Sequence, residues 1–140
     1  MSSRTEAEVD QLAPTGLGQI EYRLARDSAV RSVRRGQASR LDVCDAQPEL
    51  LRVAANLGQP TETDCPICEE AKLVNVLFAF GRTLPAQGRA LENQAELKEL
   101  AKTDDIAFYV VEVCQACRWN HLLRSFTSQT ARRRARTGRA

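Results

Sequence analysis

The chain has 140 residues, enough for one domain or a small domain with a helical arm, and 43% of them are hydrophobic. Its net charge of +2 conceals two basic ends around an acidic middle that runs from Asp42 to Asp105. No apolar run reaches the roughly 18 residues that a membrane span requires, and Met1–Asp10 has no signal-peptide core. We therefore expect a cytoplasmic protein with no membrane contact.

The first half of the chain is predicted to be helical. Apolar residues recur there at spacings of three and four, and Gly36 and Gly58 stand where helices commonly stop. Ser39 is a suitable cap, and Pro48 suits a first helical turn. The expected elements are a flexible leader over residues 1–17, helices over about Gln19–Arg35, Arg40–Ala46 and Pro48–Leu57, and a polar linker over Gln59–Asp64.

The second half is predicted to be mainly strand. Runs rich in Val, Leu and Phe alternate with polar segments that contain Pro and Gly. The expected elements are strands over Lys72–Phe80, Ile106–Val113 and Trp119–Phe126, a loop over Arg82–Arg89, a helix over Ala90–Lys102, and a disordered tail from Thr127.

Two Cys-x-x-Cys motifs carry the clearest chemistry. Cys65 with Cys68 and Cys114 with Cys117 offer four thiolates, which is the ligand set of a tetrahedral structural zinc site with no open position. In a reducing compartment, this spacing favours metal over disulfide. We predict one structural Zn²⁺ bound by all four cysteines. A dithiol redox pair and four unrelated buried cysteines are the alternatives.

Two further residues are candidates for this site. Cys44 lies among apolar residues of a predicted helix and is interpreted as a small hydrophobic residue. His121 follows Cys117 by four residues and is either a substitute ligand or a residue on a strand surface. Trp119 is expected to cover the sheet rather than stack on a base.

The arginines suggest a nucleic-acid partner, because guanidinium groups bind phosphates in bidentate fashion. From residue 118 to the end there are seven arginines and no acid. The first predicted helix adds a second basic surface. The alternative to nucleic-acid binding is that the charged ends only keep the protein soluble. The candidate nucleic-acid-binding residues are Arg118, Arg124, Arg132, Arg133, Arg134, Arg136 and Arg139.

The order of cysteine turns and strands resembles a zinc ribbon. The whole arrangement is similar to a small actinobacterial zinc-ribbon family of unknown function, over residues 18–126. The resemblance implies an α+β fold, with a helical segment (18–58), an antiparallel ribbon sheet (59–126) that contains a helical insertion (82–105), and the basic tail (127–140). The segments that carry it are Tyr22–Arg26, Val43–Ala46, Pro48–Leu51, Cys65–Cys68 and Val113–Cys117.

Zinc ribbons recur in ribosomal proteins and transcription factors, and this analogy favours RNA or RNA-polymerase partners. The leading hypothesis is a non-enzymatic protein that binds a nucleoprotein machine, the ribosome or RNA polymerase, with no small-molecule substrate. The alternative is a regulatory module whose N-terminal helices bind a protein partner without nucleic acid. No phosphate loop, nucleophile elbow or open His-containing metal site indicates an enzyme.

Overall fold

The computed structural model describes residues 18–128, which form one six-stranded antiparallel sheet flanked by four helices. The predicted α+β class is confirmed. No helix in this range is long and apolar enough to cross a bilayer. In chain order the elements are β1 (Gly18–Glu21), α1 (Arg23–Arg34), α2 (Arg40–Val43), α3 (Pro48–Leu57), β2 (Gln59–Asp64), β3 (Lys72–Phe80), β4 (Arg89–Leu91), α4 (Gln94–Leu100), β5 (Ala107–Val113) and β6 (Asn120–Thr127).

Local chemistry determines where the helices begin and end. Gly36, with φ of 75°, follows α1 in the left-handed conformation that glycine adopts readily. Pro48 occupies the first turn of α3, and the predicted bounds of this helix are confirmed. The side chains of Ser39 and Asn93 accept backbone N–H groups at the starts of α2 and α4.

Strand order places both cysteine turns at the same end of the sheet. The order is β1-β6-β5-β3-β2, and β4 also pairs with β3. The pair Asp64–Lys72 closes the β2–β3 hairpin, and the pair Val113–Asn120 closes the β5–β6 hairpin. Because β3 lies antiparallel to β5 with Val74 opposite Val113, the two hairpin turns are neighbours. We call this the knuckle end of the sheet.

Alternation along β3 divides the sheet into two faces. Leu73, Leu77 and Ala79 are buried on one side, the core face, against which α1 and α4 pack. Phe78 and Phe80 point to the other side, the open face, and are only half-buried. Helix α3 packs on the open face with Val76 and Val113.

The part of the open face that α3 leaves uncovered is an apolar groove of about 430 Å³. Phe80 and Tyr109 meet there edge to face, with ring centroids 5.4 Å apart. The groove is lined by Phe78, Phe80, Tyr109, Val111 and Leu122.

Three predictions for the first half of the chain are wrong. The second predicted helix, Arg40–Ala46, ends at Val43. The first predicted helix, Gln19–Arg35, begins instead at Arg23, since Gly18–Glu21 pairs with β6 as an edge strand. Gln59–Asp64 is not a linker but a polar edge strand, in which Thr61 is buried and donates to the Leu73 carbonyl at 2.8 Å. In both of these strands, a partner strand distant in sequence determines the backbone conformation.

The second half follows its prediction more closely: β3 has the predicted bounds, β5 begins one residue later at Ala107, and β6 is shifted by one residue to Asn120–Thr127. The predicted insertion contains β4 and α4, and the helix contracts to Gln94–Leu100 because the residues before it pair with β3. Thr127 ends β6 and Ser128 is buried, so the disordered tail cannot begin at Thr127. The leader and the remaining tail lie outside the described residues. The division of the chain into four segments stays a prediction.

Candidate metal centre

The four predicted ligands meet at the knuckle end. Their Sγ atoms all lie within 4.8 Å of one another. Across the two turns, Cys65 Sγ is 3.7 Å from Cys117 Sγ, and Cys68 Sγ is 3.6 Å from Cys114 Sγ. A tetrahedral site with Zn–S bonds of about 2.3 Å has S···S edges of about 3.8 Å. The spacing therefore fits Zn²⁺ or a metal of similar size.

The two turns share one backbone design. In each, the first cysteine accepts a hydrogen bond at its carbonyl, from Glu69 N–H at 3.0 Å in one turn and from Arg118 N–H at 3.0 Å in the other. Glu69 and Arg118 also have positive φ values of 59° and 75°. Amide N–H groups point at sulfur in both turns, among them Cys117 N–H to Cys114 Sγ at 3.4 Å. The chain therefore supplies donors that stabilise negative charge on sulfur.

Burial divides the ligands into two pairs. Cys65 and Cys114 are fully buried, whereas Cys68 and Cys117 are half-buried. Burial raises the pKa of the Cys65 and Cys117 thiols above the ordinary value. Burial also acts to raise the pKa of Cys68, but hydrogen bonds, first of all from Glu70 N–H, outweigh it and leave that pKa lowered.

A metal bound by these residues would have four sulfur ligands and no position for substrate. Such closed sites stabilise a fold, because the free energy of metal binding is also folding free energy. Val30, Leu73 and Trp119 surround the buried pair, so the centre also belongs to a hydrophobic cluster between the sheet and α1.

A buried polar network supports this cluster. Trp119 is fully buried, as predicted for a residue that covers the sheet, and its indole N–H donates to Glu112 Oε2 at 2.7 Å. Arg26 Nε donates to the same oxygen at 2.9 Å. Burial acts to lower the pKa of Arg26, but Glu112 and Asp27 outweigh it and leave that pKa raised. The network joins α1 to β5 directly beside the second cysteine turn.

Sequence reasoning missed the position of the fifth cysteine. Cys44 packs against the hydrophobic cluster, in agreement with the prediction of a small hydrophobic residue, but its Sγ also lies 3.5 Å from Cys117 Sγ. Its distance from the cysteine turns in sequence concealed this contact. His121 is outside the four-cysteine group; its ring stacks on Trp119 with centroids 5.7 Å apart.

The structure separates the predicted arginines. Arg118 is exposed, yet its guanidinium donates through Nε to the Ala46 carbonyl at 3.0 Å and so ties the loop before α3 to the second turn. Arg124 is 2% exposed and pairs with Glu21, so this structure does not present its guanidinium to a phosphate, and its predicted role in nucleic-acid binding stays a prediction. Arg132, Arg133, Arg134, Arg136 and Arg139 lie outside the described residues.

Comparison with known proteins places this chain in a family. Residues 15–140 match the family of unknown function DUF5318. The uncharacterized proteins Mb0050 of Mycobacterium bovis and Rv0049 of Mycobacterium tuberculosis are each 40% identical to the chain over 114 residues, which is 81% of this chain and 83% of each relative. No solved structure matches the chain significantly. From the span of this match and the identity to the mycobacterial proteins, we conclude that the chain belongs to the DUF5318 family.

Proposed function

We propose that this protein is a non-enzymatic zinc-ribbon protein, in which one structural Zn²⁺ on Cys65, Cys68, Cys114 and Cys117 stabilises a platform for a macromolecular partner. The observation that carries the proposal is the spacing of the four Sγ atoms, all within 4.8 Å of one another in two matching turns. Four sulfur ligands leave no open coordination position, which favours a structural role over catalysis.

The partner we propose is a nucleoprotein machine, the ribosome or RNA polymerase. Besides the arginines of the tail, α1 and its C-cap present an exposed basic surface whose members are Arg23, Arg31, Arg34 and Arg35. This surface lies beside the first cysteine turn, because Arg34 donates to the Pro66 carbonyl at 3.2 Å. Arginines grouped in this way suit phosphate contacts.

Metal content tests the first part of the proposal. Native mass spectrometry of the purified chain should show one zinc, and Cys65→Ser and Cys114→Ser should each lose it. A chain that folds without metal, and binds none when zinc is supplied, would contradict the structural-metal role.

Charge reversal tests the nucleic-acid part. The double variant Arg31→Glu, Arg35→Glu should weaken binding to total RNA. The slope of the logarithm of the association constant against the logarithm of the salt concentration should become less steep by about 2. The matched control, Lys98→Glu with Lys102→Glu, makes the same change in net charge at two exposed residues, one on α4 and one in the turn that follows it. Equal losses in the two variants, or binding that is insensitive to salt, would contradict a specific phosphate contact by α1.

A protein partner bound by the N-terminal helices is the second candidate, and one observation favours it. Leu24 on α1 and Leu41 on α2 are 84% and 82% exposed, unusually high for leucine. Leu24→Asp with Leu41→Asp should then abolish partner co-purification that survives RNase and DNase treatment. Release of the partner by nuclease would favour the nucleoprotein instead.

A further inference from the structure

The knuckle end contains a thiol that the metal site does not need. Cys65, Cys68, Cys114 and Cys117 already complete a tetrahedral ligand set. Cys44 is a fifth free thiol, and its Sγ lies 3.5 Å from the Sγ of Cys117. This separation is shorter than the 3.6 Å and 3.7 Å between ligand sulfurs of opposite turns.

Backbone contacts hold Cys44 in this position. It is the C-terminal cap of α2, and its N–H donates to the Arg40 carbonyl at 2.8 Å. Two residues later, Ala46 N–H donates to the Arg118 carbonyl at 3.0 Å, and the Arg118 guanidinium donates to the Ala46 carbonyl. Arg118 directly follows Cys117, so these bonds fix the Cys44 loop against the second cysteine turn.

Cys117 is accessible to a small oxidant, because Cys44, Cys68 and Cys117 are half-buried, whereas Cys65 and Cys114 are fully buried. What distinguishes Cys117 from the equally accessible Cys68 is the Cys44 thiol beside it. The two sulfurs must approach by about 1.5 Å to reach the S–S distance of about 2.05 Å in a disulfide. The Ala46–Arg118 bonds keep the loop in place, while helix α2, which Cys44 caps, has four residues of which none is buried, so α2 can move with the Cys44 side chain at little loss of buried surface.

We propose that Cys44 and Cys117 form a reversible disulfide when a hydroperoxide oxidises the protein, and that this bond removes Cys117 from the four-sulfur ligand set. A sulfur held in a disulfide is no longer a thiolate ligand, so the affinity for metal falls. A dithiol reductant would restore both thiols and the ligand set. The proposal rests on the four-cysteine metal site of the proposed function and adds a chemical control of its occupancy.

The reaction balances with one hydroperoxide, ROOH. The Cys117 sulfur takes one oxygen atom and becomes a sulfenic acid, while the O–O bond breaks and leaves ROH. The Cys44 sulfur then attacks the sulfenic sulfur, the S–O bond breaks, and water leaves. From one thiolate and one thiol, the sum consumes ROOH and one proton and gives the disulfide, ROH and H₂O. Two electrons pass from the sulfurs to the peroxide.

The test uses the full zinc-loaded chain and hydrogen peroxide, with a chromogenic chelator to record released zinc. Trypsin separates the cysteines into three peptides, residues 41–52 with Cys44, 53–72 with Cys65 and Cys68, and 103–118 with Cys114 and Cys117. The proposal predicts that peptide 41–52 becomes linked to peptide 103–118, with fragmentation assigning the bond to Cys117. Added dithiothreitol should reverse the link and allow zinc to rebind.

Cys44→Ser is the matched variant. It should bind one zinc like the parent, but after peroxide its Cys117 should be found as the irreversible sulfinic acid, because no thiol is present to convert the sulfenic acid to a disulfide. Dithiothreitol should therefore restore zinc binding in the parent and not in Cys44→Ser. Equal recovery of zinc binding in the two proteins, a link between peptides 53–72 and 103–118, or failure of Cys44→Ser to bind zinc would each overturn the proposal. If the folded chain binds no zinc even when zinc is supplied, the proposed function fails, while formation of the link in the metal-free chain still tests the redox pair.

Discussion

Glu112 is the residue on which the packing behind the metal centre most depends. It is 4% exposed, and a single carboxylate oxygen accepts from both Trp119 and Arg26. Breaking a buried ion pair from one side is costly because the remaining charge keeps its desolvation penalty but loses its partner.

We therefore expect Glu112→Ala to lower the free energy of unfolding of the zinc-loaded protein by about 3–5 kcal/mol, measured by urea denaturation. Glu112→Gln retains an acceptor for the Trp119 indole and should lose less. Equal losses in the two variants would contradict the importance of the charge on Glu112.

The thiols of the centre make metal binding depend on pH. Burial keeps the pKa of Cys65 and Cys117 raised, so the metal-free site holds protons that zinc must displace. The apparent zinc affinity should fall as pH decreases from about 8 to about 6, by up to about tenfold per unit for each proton released. Competition with a zinc indicator across this range measures the dependence, and a flat profile would contradict binding by four thiolates.

In the metal-free protein, the raised pKa values of Cys65 and Cys117 make the fold less stable as pH increases. A thiol whose pKa is higher in the folded state than in the unfolded state stabilises the fold below the unfolded pKa and loses that contribution as pH rises. Metal-free protein should therefore lose stability above about pH 8.5, the ordinary range of thiol ionisation, in thermal melts across this range. The zinc-loaded protein should not, because its cysteines are already deprotonated.

At the scale of elements, the close packing at the junction between α3 and β2 leaves no space for a side chain at Gly58. A Cβ on Gly58 would lie 2.1 Å from Val74 Cγ1 and 2.4 Å from the Ala54 carbonyl oxygen. The backbone oxygen cannot rotate away, so a larger residue must displace α3 from the open face. Glycine at this position is thus explained by close approach and not by an unusual φ.

We expect Gly58→Ala to lower the free energy of unfolding by about 1–3 kcal/mol, measured by chemical denaturation. The control is Gly36→Asn. Gly36 has φ of 75°, a Cβ added there would meet no atom within 4 Å, and asparagine tolerates this conformation. This variant should change stability by less than about 0.5 kcal/mol. If Gly58→Ala leaves the free energy of unfolding unchanged, α3 can shift on the sheet without loss of stability, and the prediction is wrong.

Over the whole molecule, the hydrophobic residues form separate clusters along the sheet. The cluster at the knuckle end contains Cys65 and Cys114, so its packing would depend on a metal held by the four cysteines. The cluster at the opposite end of the core face joins Leu77, Phe108 and Leu97 and contains no cysteine. Metal removal should therefore act unequally along the sheet.

Hydrogen exchange after zinc chelation measures this difference. Amides of the two cysteine turns and of α1 should lose protection first, while Leu77 in β3 and Val110 in β5 remain protected for longer. Uniform loss of protection would indicate that the sheet unfolds as one cooperative unit without metal. The zinc-loaded protein before chelation is the reference.

Local sequence was sufficient for the features that depend on short-range chemistry. The bounds of α3 follow from Pro48 and Gly58, strand β3 follows from its run of Val, Leu and Phe, and the four-cysteine group follows from the two Cys-x-x-Cys motifs. In each case the chemistry lies within a few neighbouring residues, so the sequence by itself determined the outcome.

Only the tertiary structure decided what depends on partners far apart in the chain. The strand Gly18–Glu21 exists because it pairs with β6, and Arg124 is buried because the same pairing covers it. Cys44 meets Cys117 across 73 positions, through a loop that Arg118 holds in place. Strand pairing and loop packing between distant segments outweigh the local preference for helix or strand. A short window of sequence does not contain both of the segments that come into contact.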